Sequence, residues 1–128
     1  IGAGAGAPGL VLALLAPELT LTLVEPRQKR VAFLRTALST LGRSDVRVER
    51  RRSQDLASKS AHIAVARATL PPSEWLPEGA RLATQGVWVL LAREQPPVLA
   101  GYAPDREVEY VWPLAGAARR AVRYVQQS

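Results

Sequence analysis

Ile1-Gly2-Ala3-Gly4-Ala5-Gly6-Ala7-Pro8-Gly9 opens the chain, with glycine at four of nine positions. Glycine reaches positive φ without penalty and lets another molecule approach the backbone closely. An apolar stretch, Leu10 to Leu15, follows at once. If that stretch is a helix, its first N–H groups have no internal partners and point back into the loop. Loops of this kind leave a buried strand. The sequence starts at Ile1 and contains no Met, so a strand is expected upstream of it.

The chain of 128 residues is expected to form one domain, residues 1–128, with a single core. It has no Cys and one His, His62. Disulfides, thiolate metal sites and Cys nucleophiles are therefore excluded, and no metal site is expected. No apolar run reaches membrane-spanning length without a Pro, Gly or charge, and a cytoplasmic location is expected. The net charge is +6, carried mostly by Arg, with Lys only at 29 and 59. Arg suits phosphate through bidentate hydrogen bonds, although a GC-rich gene gives the same composition.

Hydrophobic periodicity organises the rest. Pro8 to Ala16 reads as a short buried helix, with Pro8 in its first turn. Thr20 to Glu25 alternates as a strand does. Pro26 opens a helix to Leu41, whose stripe is Val31, Leu34, Leu38 and Leu41, and Gly42 stops it. Val46 and Val48 mark a short strand, followed by Arg50-Arg51-Arg52 and a loop through Ser53-Gln54-Asp55. Residues 61–66 form another strand, ending at Arg67. Three prolines in 71–82 leave room for one helical turn near Glu74-Trp75. Residues 87–91 read as a strand covered on both faces. Residues 106–112 and 121–125 read as two final strands joined by a short connection, hence antiparallel. The expected fold class is α/β, a mostly parallel sheet with a C-terminal antiparallel strand pair.

Ligands on such sheets lie at the carboxyl ends of the strands. The glycine loop, Glu25, Ser53-Gln54 and Arg67 all fall at such ends. The glycines fit two patterns equally: Gly2-x-Gly4-x-Gly6, common in methyltransferases, and Gly4-x-Gly6-x-x-Gly9, the dinucleotide fingerprint. Glu25, at the end of the second strand, is placed to accept ribose hydroxyls, which suits either cofactor. Arg27, Lys29 and Arg30 oppose the macrodipole of the helix they open, and an anionic partner would explain them. Trp75, Trp88 and Trp112 read as packing residues.

Several segments together resemble one family. Ile1 to Leu10, Leu23-Val-Glu-Pro-Arg-Gln-Lys-Arg-Val-Ala-Phe-Leu34 and Ala66-Arg67-Ala68 are similar to the RsmG/GidB family of bacterial 16S ribosomal RNA methyltransferases, which act on guanine N7. Arg119-Arg120-Ala-Val-Arg-Tyr-Val resembles the family's last strand. The resemblance implies a Rossmann-like class I methyltransferase fold with a seven-stranded sheet, whose first strand and N-terminal helices lie outside this chain. It implies S-adenosylmethionine as cofactor, 16S ribosomal RNA or the small ribosomal subunit as partner, and a monomer. Gly2, Gly4, Gly6 and Ala7 would lie beside the methionine and ribose of the cofactor. Glu25 would take the ribose, and Ser53 and Gln54 would flank the adenine. Arg67 would be the catalytic or cofactor-side Arg, and Lys29, Arg30, Arg93 and Arg119 would face the RNA. Arg52-Ser53-Gln54-Asp55 stands where the family usually has Arg-Ala-Glu-Glu, and Ala92-Arg93-Glu94 where it usually has Lys-Gly. Guanine N7 has a free lone pair, so methyl transfer to it needs no His or Cys. A protein of this fold with a changed substrate or no activity, and an NAD-dependent oxidoreductase, are the alternative readings.

Overall fold

The computed structural model describes residues 9–66, 70–111 and 118–127. Two compact units divide the chain, Ile1–Leu56 and Ala57–Ser128. The glycine loop, Arg67 and Trp112 lie outside the described residues.

The first unit contains helix α1 (Gly9–Leu15), strand β1 (Thr22–Val24), helix α2 (Gln28–Thr40) and strand β2 (Arg47–Glu49). A 3₁₀ turn, Ser53–Asp55, follows. Strands β1 and β2 pair in parallel, Thr22 opposite Arg47 and Val24 opposite Glu49. The core joins Ala13 of α1, Leu23 of β1 and Leu34 and Leu38 of α2 with Val46. Removing these side chains from water is the main gain in folding the unit. Val31 is buried with the stripe, whereas Leu41 lies beyond the end of α2 and is exposed.

Two glycines have specific work in this unit. A Cβ on Gly9 would come within 2.6 Å of Leu23 Cδ2, so glycine lets α1 approach β1 closely. Gly42 adopts φ +72° and ends α2 as expected. Its N–H donates to the Ser39 carbonyl at 3.1 Å, and that of Arg43 to the Leu38 carbonyl at 2.8 Å. This is a Schellman closure, which satisfies carbonyls that the helix leaves unpaired.

The second unit contains β3 (Ala61–Ala66), α3 (Pro72–Leu82), β4 (Ala83–Leu91), β5 (Tyr102–Val111) and β6 (Ala118–Gln126). The strand order is β3-β4-β6-β5. Strands β3 and β4 are parallel, with α3 as the crossover, and β6 runs antiparallel to both β4 and β5. The final antiparallel pair therefore forms as expected, with β6 inserted beside β4. The apolar run of β4 buries Val87, Val89 and Leu91, and Trp88 and Leu90 are half-buried. His62 lies exposed on β3.

The segment expected to hold one helical turn forms the eleven residues of α3, with Pro77 inside the helix. Pro72 begins α3, where a missing N–H costs nothing. Pro77 removes one hydrogen bond further along. Tertiary packing overrides that loss: Trp75, Leu76, Ala80 and Leu82 are buried, and Trp75 Nε1 donates to the Trp88 carbonyl at 3.0 Å. Lys59 caps the far end, its Nζ donating to the carbonyls of Ala80 and Ala83 at 2.9 and 3.0 Å. A cation there also complements the helix dipole.

Candidate functional site

Because β1 and β2 are parallel, their carboxyl ends open on the same edge of the pair. Glu25 follows β1 directly. Its backbone N–H donates to the Glu49 carbonyl at 3.0 Å, which extends the ladder one step. The residue is 2% exposed. Burying a carboxylate is costly unless donors surround it. Here Oε2 accepts the Arg27 N–H at 2.8 Å, and Arg30 Nη1 stands 4.0 Å from Oε1. The Glu25-Pro26-Arg27 turn thus opens α2 against the carboxylate, whose charge suits the positive end of a helix. A carboxylate is an acceptor-only group of the kind to which ligand hydroxyls donate.

At the end of β2, residues 50–52 lead into the 3₁₀ turn. Ser53 is buried there, and Gln54 is exposed beside it. Asp55 Oδ2 accepts the Arg52 N–H at 3.3 Å, which closes the turn. Glu25 and Ser53, two expected cofactor residues, therefore follow the ends of adjacent parallel strands. Lys29 and Arg30 lie exposed in the first turn of α2. Exposed Arg51 and Arg52 add to the positive charge of this unit.

The remaining candidates belong to the second unit. Arg93 is exposed just after β4, and Arg119 is half-buried on β6, its Nη1 donating to the Ala118 carbonyl at 3.1 Å. Between them Glu94 folds back, and its Oε1 accepts the Ala92 N–H at 2.7 Å. Its own backbone N–H and that of Ala92 hold the carboxyl below the usual range. Arg120 Nη2 also donates to the Glu94 carbonyl at 3.3 Å, so this turn is built from charged side chains rather than glycine. Gly2, Gly4, Gly6, Ala7 and Arg67 lie outside the described residues. Sequence reasoning missed the bond from Arg50 Nε to the Pro26 carbonyl, 3.2 Å, which joins β2's end to the Glu25 turn. The consecutive arginines resemble a uniform basic run, and nothing local marks Arg50 apart.

The model of the family described as rRNA small subunit methyltransferase G (GidB) matches residues 1–96. The chain belongs to this family. The ribosomal RNA small subunit methyltransferase G of Acidothermus cellulolyticus is 39% identical over 127 residues, covering 91% of this chain and 57% of that protein. The protein of the same name from Clavibacter sepedonicus is 37% identical over 124 residues, covering 96% and 52%. The chain thus spans about half the length of these curated relatives. Among solved structures, the precorrin-6y C5,15-methyltransferase of Geobacter metallireducens superposes with a TM-score of 0.60 at 13% identity, covering 99% of this chain and 77% of that one. TrmN from Thermus thermophilus gives 0.62 at 18% identity, covering 97% and 42%. The fold is that of the class I methyltransferases. The GidB match covers the glycine run, the Glu25 turn, α2 and the 3₁₀ turn. It also includes Arg67 and Arg93, and ends before β5. No described helix is long and apolar enough to cross a membrane.

Proposed function

We propose that the whole protein containing this chain transfers a methyl group from S-adenosylmethionine to guanine N7 of 16S ribosomal RNA. The observation that carries this reading is the buried Glu25 carboxylate at the end of β1, inside the segment that matches the family. Its chemistry fits a ribose: a charged acceptor beside two hydroxyl donors makes strong, directional hydrogen bonds. Ser53 and Gln54, beyond the neighbouring strand, would border the adenine. Gly2, Gly4, Gly6 and Ala7 would provide the close backbone approach. The family match supports the methyltransferase pattern in these glycines over the dinucleotide one.

When bound, the cofactor supplies an electrophilic methyl on a sulfonium. The protein's part is to align and to exclude water, because guanine N7 attacks without losing a proton. Methyl transfer would leave the net charge of the reacting pair unchanged, so the residues here would position that pair rather than neutralise it. Arg67 would hydrogen-bond guanine O6 or a phosphate, and Lys29, Arg30, Arg93 and Arg119 would contact the RNA backbone. The tight Ala92-Arg93-Glu94 turn favours a second reading, the same cofactor with a changed substrate.

Calorimetric titration of the whole protein with S-adenosylhomocysteine and with NAD tests the cofactor. Binding of NAD alone refutes the assignment. Methylation of 16S RNA lacking N7-methylguanine then tests the substrate, and cofactor binding without methylation supports the second reading. Arg67→Ala should lower the methylation rate. A wild-type rate would remove Arg67 from the mechanism.

A further inference from the structure

The peptide unit between Pro26 and Arg27 is engaged at both ends. Its N–H, on Arg27, donates to Glu25 Oε2 at 2.8 Å. Its C=O, on Pro26, accepts Arg50 Nε at 3.2 Å. The unit is planar and rigid, so fixing its carbonyl direction also fixes the direction of its N–H. A cation on the carbonyl oxygen polarises the amide and strengthens the bond that its N–H donates. Arg50 and Glu25 are thereby coupled through one amide, although 25 positions separate them in the chain. The coupling exists because β1 and β2 are in register: Glu25 N–H bonds to the Glu49 carbonyl, which places Arg50 next to the turn.

We infer that Arg50 is a positioning residue for the Glu25 carboxylate, acting through the Pro26–Arg27 peptide, and is set apart by this from the exposed Arg51 and Arg52 beside it. The inference rests on the reading of Glu25 as the ribose acceptor. Arg30, half-exposed and 4.0 Å from the other carboxylate oxygen, flanks the same group but makes no hydrogen bond at that distance. Arg50 bears instead on the Arg27 N–H, a donor that does bond the carboxylate. Without Arg50 the Arg27 N–H would hold the carboxylate less firmly in line with the ribose hydroxyls, and cofactor affinity would fall while RNA affinity stayed.

The test compares the whole wild-type protein with Arg50→Ala and Arg50→Lys. Calorimetry with S-adenosylhomocysteine should show affinity for Arg50→Ala lower by roughly 3- to 10-fold, the worth of one hydrogen bond. KM for S-adenosylmethionine should rise similarly, with KM for RNA and the salt dependence of RNA binding unchanged. Arg50→Lys, which keeps a cationic donor, should recover most of the affinity. Wild-type cofactor affinity in Arg50→Ala, with weaker RNA binding and a shallower salt slope, would overturn the inference and make Arg50 a phosphate contact. An Arg50→Lys variant as weak as Arg50→Ala, with both melting early, would assign Arg50 a general structural role and overturn it too. A wild-type protein that does not bind S-adenosylhomocysteine would instead refute the cofactor reading itself.

Discussion

Glu25→Gln replaces one carboxylate oxygen with an amide nitrogen and removes the charge while keeping the side chain's length. The remaining oxygen can still accept the Arg27 N–H, so the opening of α2 survives. The bond changes from charge-assisted to neutral, and the ion pair with Arg30 disappears. Arg30 is half-exposed, so that pair contributes at most about 1 kcal/mol. The expected loss of stability is about 1 kcal/mol, visible as a drop of a few degrees in melting temperature. The effect on cofactor binding should be larger. A hydrogen bond to a charged group contributes about 1.5–3 kcal/mol against about 0.5–1.5 for a neutral one. The difference, about 1–2 kcal/mol, corresponds to roughly 5- to 30-fold weaker binding. Calorimetry of the whole protein with S-adenosylhomocysteine reads this directly, and thermal unfolding without ligand reads the stability term. A folded Glu25→Gln protein with wild-type affinity would refute the ribose assignment. A collapse of stability without change in affinity would show that the carboxylate serves α2 alone.

Three further predictions concern the second unit. Gly79→Ala should destabilise by about 1–3 kcal/mol despite alanine's better helix propensity, because the new Cβ would lie 2.5 Å from Val87 Cγ1; urea unfolding measures it. Tyr124→Phe should cost about 1–2 kcal/mol, since the buried hydroxyl donates to the Pro97 carbonyl at 2.6 Å and its loss leaves that acceptor without this donor. The hydrogen bonds from Arg123 hold the Asp105 carboxyl below its usual range. A depressed folded-state value means that this pair stabilises above the ordinary carboxylate range and loses its contribution as pH falls through the depressed value. NMR titration of the carboxyl should show the low midpoint, and Arg123→Gln should return it towards the ordinary value.

Much of the local structure was legible in the sequence because it depends on short-range rules. The spacing of Val31, Leu34 and Leu38 gives α2 one buried face, and Gly42 supplies the positive φ that ends it. The apolar run in β4 matches a strand with its side chains buried or half-buried. Helix α3 was misjudged because proline propensity is local, whereas Trp75 and Leu76 are stabilised by burial that no short window reports. Glu25 and Ser53 were recognisable as candidates from their places after predicted strands, and the structure puts them beyond the ends of β1 and β2.

Sequence by itself determined the family, the class of fold and the residue types available for binding: a glycine loop, one acid after β1 and many arginines. Tertiary structure decided what individual side chains do. Lys59 became a helix cap, Glu94 folded onto its own turn, and Arg50 left the basic run to hold the Pro26 carbonyl. The physical reason is that a residue type and its spacing set what a group can bond to along its own strand or helix. The partner actually met depends on strand register and side-chain direction, which arise only when distant segments pack together.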